Sequence, residues 1–262
     1  MESKNPIFSR SQYTHPGQYQ TPTPGHLQDM YDAPAYQPPA PPAYRTMTID
    51  DVVVKGFLTL GTLVLTGAAA WVLNVPMGVA IVFGLVGLVL GLIASFKQST
   101  NPALILGYAA CYGVFVGALS LAYENFFNGI VLQAVIGTAL AFAGTLAVYS
   151  LRIVRVSNKM VKYVTAASIA VLGLMLVNLL VGIFVPGGFG LREAGPLGYV
   201  FSIAMILLGV FFLLLDFAAV EEGVRAGAPA KFAWQCAFGL TLSLVWIYLE
   251  VLRFISYFSS SD

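Results

Sequence analysis

An all-α fold, a polytopic bundle of seven transmembrane helices behind a disordered N-terminal tail, is the architecture this sequence predicts. Three observations predict it. The chain of 262 residues is 58% apolar and only 10% charged, whereas soluble domains carry about 25% charged residues. After residue 46 it divides into apolar stretches of about 20 residues, the length that ~30 Å of hydrocarbon requires at 1.5 Å per residue. Its lysines and arginines fall almost entirely on alternate connections. Length and continuity favour one bundle rather than several domains.

Residues 1–46 are the tail. They hold nine of the 14 prolines, five of the 13 tyrosines and both histidines, and such a segment buries too little apolar surface to offset its ordering entropy. Within it, Pro41-Pro42-Ala43-Tyr44 fits a polyproline II ligand pattern of the kind WW domains bind. The tail has no apolar core region, so no signal peptide is expected. Thr48-Ile49-Asp50-Asp51 reads as a helix start, a capping threonine with acids in the first turn where the helix dipole favours them. The spans are expected near 52–74, 77–96, 102–123, 128–150, 163–185, 197–217 and 232–257, making 47–258 the membrane domain. The breaks between them carry Asn74-Val-Pro76, Lys97 to Pro102, Glu124-Asn125, Arg152 to Lys162, Pro186-Gly-Gly188 and Gly223 to Lys231.

With the N-terminus inside, the cytoplasmic pieces hold 11 of the 13 basic residues, and the outer pieces only Arg192 and Arg253. The positive-inside rule therefore predicts a cytoplasmic N-terminus and, after seven crossings, an outer C-terminus.

Enzyme chemistry is not expected. No histidine lies in the spans, and the chain has no Gly-x-Ser-x-Gly elbow, His-Glu-x-x-His pair or phosphate loop. Span 7 has no lysine for a retinal Schiff base, and the inside N-terminus is not that of a seven-helix receptor. Cys111 and Cys236 sit in apolar runs, where a thiol behaves as a small hydrophobe. No cofactor and no nucleic-acid partner is expected. The partner that composition demands is the lipid bilayer.

What remains is a short set of charges at membrane depth. Asp216 closes an unbroken apolar run, Met205-Ile-Leu-Leu-Gly-Val-Phe-Phe-Leu-Leu-Leu-Asp. A carboxylate at a helix centre costs roughly 2.5–3.5 kcal/mol on insertion scales, so intramembrane acids are functional candidates. Asp216 lies ~27 Å along an inward-running span, near the inner edge of the hydrocarbon. Lys97, at the inner end of span 2, lies in the same layer and is its expected partner, with Lys55 and Arg225 as competitors. Glu250 and Arg253, three apart on span 7, share a helix face and are expected to form an ion pair at the outer edge. Gly84, Gly87 and Gly91 on span 2, and Gly113 with Gly117 on span 3, read as close-packing faces. Arg152, Arg155, Lys159 and Lys162 follow helical spacing, as in an interfacial helix against anionic lipid.

The last hairpin, Leu213-Leu-Leu-Asp216-Phe and then Leu242-Ser-Leu-Val-Trp-Ile-Tyr-Leu-Glu250-Val-Leu-Arg253-Phe, resembles the transmembrane Bax inhibitor motif family. Ser3-Lys-Asn-Pro-Ile-Phe8 and Met47-Thr-Ile-Asp-Asp-Val-Val53 are similar to its YccA-like, actinobacterial branch. The resemblance implies seven helices packed around the last one, a plasma-membrane or endomembrane location, which for this branch is the bacterial plasma membrane, and, as in characterised members, a pH-sensitive calcium leak. It also implies a sensor of two aspartates on the last two helices, engaged by a basic residue on the second helix. Asp216 matches the first aspartate and Lys97 lies near the basic position. Ser243 stands where the second aspartate would be, and span 2 has no acid between Val75 and Phe96.

The expected function is therefore a passive, pH-responsive cation leak, with calcium the implied ion. Asp216, Lys97 and Ser243 would form its cytoplasmic latch and Glu250 with Arg253 an outer ion pair. The alternative is a non-conducting stress or protease-interacting regulator that engages a membrane-protein partner through its tail.

Overall fold

The computed structural model describes residues 45–185 and 188–259. Residues 1–44, with the Pro41–Tyr44 motif, residues 186–187, and residues 260–262 lie outside the described residues. Among the described residues there are seven helices long and apolar enough to cross a membrane. They are α1 (Ile49–Val72), α2 (Met77–Phe96), α3 (Pro102–Phe126), α4 (Ile130–Ser150), α5 (Asn158–Phe184), α6 (Pro196–Arg225) and α7 (Phe232–Ser259).

The helix starts follow local chemistry. Thr48 caps α1: its Oγ1 accepts from the Asp51 amide at 3.2 Å, while its own amide donates to Asp51 Oδ2 at 3.1 Å. Asn101 caps α3, its Oδ1 accepting from the Ala103 amide at 3.0 Å, with Pro102 in the first turn, where a missing N–H costs nothing. Ser157 accepts from the Met160 amide and starts α5 five residues ahead of the expected span. Arg152, at φ 56°, belongs to the turn that ends α4. The expected interfacial helix through Arg152 and Arg155 therefore does not form, and only Lys159 and Lys162 are helical. The largest departure is α6, which runs on through Phe217-Ala-Ala-Val-Glu-Glu-Gly-Val-Arg225. Helix propensity continues where hydrophobicity stops, so an apolar run marks the membrane crossing and not the helix end.

α7 is the hub, packing against α6, α4, α1 and α3. Lipid tails are as apolar as leucine, so close backbone approach at small residues drives helix association. At the α1–α3 crossing a Cβ on Gly117 would lie 2.1 Å from the Gly67 carbonyl oxygen, and one on Gly113 2.1 Å from Thr66 Oγ1. On α2, Gly84, Gly87 and Gly91 receive Phe115, Tyr112 and Tyr108 of α3, as the glycine spacing predicts. α2 packs on α3, and α5 packs on α6, so both sit at the periphery.

Two ends of the bundle are defined by contacts between connections. Thr46, just ahead of α1, pairs with Pro229 in the α6–α7 turn, and Tyr149 at the end of α4 donates to Glu221 near the end of α6. These mark the turn end. At the opposite end Arg192, in the α5–α6 connection, meets Glu250 near the end of α7.

Candidate functional site

Asp216 projects from α6 across its seam with α7. Ser243 Oγ donates to Asp216 Oδ2 at 2.5 Å. The carboxylate reaches the α7 surface because residue 239 is glycine; a Cβ there would stand 2.7 Å from Asp216 Oδ1. Gly239 and Ser243 are four apart and so share one face of α7. The small residue makes the space and the hydroxyl supplies the donor. Around them the seam is tight: Trp246 Nε1 donates to the Met205 carbonyl at 3.0 Å, and Gly209 is closed over by Ile247 and Trp246. Leu213, Ser243 and Ile247 are buried.

The structure brings Asp216 to Ser243 and does not bring it to Lys97. Lys97 caps the C-terminus of α2, its side chain is exposed, and α2 packs mainly on α3 rather than on α6 or α7. Shared depth along the membrane normal left the direction around the bundle undetermined, and that direction separates them. The competing cations are engaged elsewhere. Lys55 Nζ donates to the Ala230 carbonyl at 2.5 Å and lies 5.8 Å from the Trp234 ring centroid, and Arg225 pairs with Glu222. Among the described residues no salt bridge reaches Asp216.

The second cluster forms as expected and is larger than expected. Arg253 Nη1 donates to Glu250 Oε1 at 2.9 Å. Arg192 adds a second cation to the same oxygen at 3.7 Å, and its Nη2 also meets Met175 Sδ of α5 at 3.5 Å. Glu250 Oε2 is buried and has no hydrogen-bond partner among the described residues. Burial, and then the neighbouring Arg253 charge, pull the Arg192 pKa down from the usual arginine range, while Glu250 opposes them. The connection that carries Arg192 is pinned just ahead of it, by buried Leu191 and by the Phe189 amide donating to Asn178 Oδ1 at 2.9 Å.

Two participants have no expectation in the sequence reading. Gly239 is signalled only by the Gly-x-x-x-Ser spacing on the last helix. Arg192 lies in a connection, where nothing in the local sequence points to Glu250.

The family model described as Bax inhibitor 1 like matches residues 5–260, nearly the whole chain. Comparison with curated proteins gives no match, and comparison with solved structures gives none either.

Proposed function

The chain belongs to the Bax inhibitor 1 like family, and from that premise we propose that it is a non-enzymatic, passive, pH-responsive cation leak closed by Asp216 and Ser243. The observation that carries this reading is the carboxylate–hydroxyl bond that joins α6 and α7 within their seam. A hydrogen bond to an ionised acceptor is roughly twice as strong as a neutral one. With Asp216 ionised, the Ser243 bond holds the two helices together across the seam. Protonation removes the charge, weakens the bond and lets the seam widen, so conduction rises toward acid pH. The open seam then offers a carboxylate, a hydroxyl and the backbone exposed at Gly239 to a passing cation.

In this reading the turn end faces the cytoplasm of a bacterial plasma membrane. It carries the basic residues of the connections after α2, α4 and α6. Calcium is the ion to test first, because the last-hairpin sequence resembles that of calcium-leak proteins. The test is flux into proteoliposomes, read with a calcium-selective dye from acid to neutral pH. Asp216→Asn keeps the shape and removes the titration, so its flux is expected to be independent of pH. A variant profile that overlays the wild type would refute Asp216 as the sensor. A wild-type protein that conducts nothing at any pH would favour the non-conducting regulator.

A further inference from the structure

Arg45 and Thr46, which composition assigns to the tail, belong to the bundle. The Met47 amide donates to the Ala228 carbonyl at 2.7 Å and the Ala230 amide donates to the Arg45 carbonyl at 2.8 Å. These bonds flank the antiparallel bridge between Thr46 and Pro229. Proline fits that position because a non-hydrogen-bonded bridge partner needs no N–H. Gly227, at φ 65°, turns the chain back to present it. Met47 is 2% exposed and packs with Val52, Ala233 and Cys236. Its Cε lies 2.7 Å from where a Cβ on Gly223 would be, and Phe232 closes the same gap at 3.1 Å. The methionine thus occupies a notch made by the last turns of α6 and the first residue of α7. The strap is tied to α1 as well, through Arg45 on Asp51 at 3.0 Å and the Thr48 cap, while Lys55 of α1 donates to the Ala230 carbonyl of the facing turn.

We propose that Arg45–Met47 is a strap that positions the α6–α7 hairpin, with Met47 setting the helix spacing on which the Asp216–Ser243 closure depends; this rests on the leak reading above. Gly223 is seven residues from Asp216 and shares its helix face about 10 Å away. Cys236, under Met47, is one turn before Gly239, which touches Asp216. Helices are stiff over two turns, so a seam that widens at Asp216 must also part at the notch. The strap opposes that parting with two backbone hydrogen bonds and a buried side chain. Met47 is a positioning residue and touches no ion.

The test is a reversible crosslink. Non-hydrogen-bonded antiparallel pairs have Cα atoms about 4.5 Å apart, within the range a disulfide spans. Thr46→Cys with Pro229→Cys, in a Cys111→Ala and Cys236→Ala background, should therefore oxidise in place. Flux is compared in the same proteoliposomes before and after oxidation, with disulfide formation followed by gel mobility. Oxidation is expected to lower acid-induced calcium flux several-fold and move its half-maximal pH downward, and reductant should reverse both. Met47→Ala without the crosslink is expected to raise flux at neutral pH several-fold. Unchanged flux and pH profile despite complete oxidation would overturn the proposal. If the wild-type protein conducts nothing, the leak reading fails and amide exchange of the crosslinked variant decides the strap. Oxidation that slows exchange along residues 217–240 supports positioning of the hairpin, and slowing confined to residues 45–47 and 228–230 overturns it.

Discussion

Asp216 depends on two residues that a side-chain inventory undervalues, a serine and a glycine. Ser243 is the donor within reach of its Oδ2, and Gly239 is what lets the carboxylate approach the α7 backbone. Removing the donor leaves a buried acceptor uncompensated, which costs about 1–3 kcal/mol. The bond belongs to the ionised, closed state, so Ser243→Ala weakens closure alone. Acid-induced flux in that variant is expected at higher pH than in the wild type, with Asp216→Asn and the double variant both flat across pH. A Ser243→Ala profile identical to the wild type would remove the hydroxyl from the closure. Asp216 itself is legible in the sequence as an acid ending an apolar run. Ser243 enters only through alignment to a family pattern. The pairing with Lys97 failed because counting residues along a helix gives depth in the membrane and no angle around the bundle.

At the scale of elements, small residues decide which helices meet. The α1–α3 crossing brings backbones into contact at Gly67, Gly113 and Gly117, and nothing larger fits there. Gly117→Ala forces the helices apart and is expected to cost about 1–3 kcal/mol as overpacking, seen as a lower detergent melting temperature. Gly144→Ala on α4, where a Cβ meets nothing within 4 Å, serves as the control and should melt no lower than the wild type. Equal melting of the two variants would refute backbone contact as the basis of the crossing. The glycine spacing on α2 and α3 was readable as a packing face, but the partner was not. Gly113 and Gly117 meet α1, whereas Gly84 and Gly91 of α2 meet the aromatic side chains of Phe115 and Tyr108 and Gly87 meets the backbone of Tyr112. The extra length of α6 was hidden for a related reason, since hydropathy measures the bilayer and the helix is free to outrun it.

At the scale of the molecule, α7 gathers four neighbours and joins the two polar clusters. One end of it is held by the strap ahead of α1 and the other by Arg192 from the α5–α6 connection. The proposed orientation is directly testable. In the Cys111→Ala and Cys236→Ala background, a membrane-impermeant maleimide applied to intact cells should label Glu193→Cys and spare Arg225→Cys. The reverse pattern would invert the bundle and put the Asp216 end outside. Taken alone, the sequence determined that the chain is a seven-helix membrane bundle and which stretches are long and apolar enough to cross, and it singled out Asp216, Lys97, Glu250 and Arg253 as the charges expected at membrane depth. These are one-dimensional properties, fixed by residue polarity summed over 20-residue windows and by spacing along a single helix. The tertiary structure decided what each charge faces: Ser243 and Gly239 for Asp216, a second arginine for Glu250, and the α6–α7 turn for Arg45–Met47. Those partners lie on different helices or connections, and only the rotation and crossing of helices, set by small residues at their contacts, bring them within a hydrogen bond.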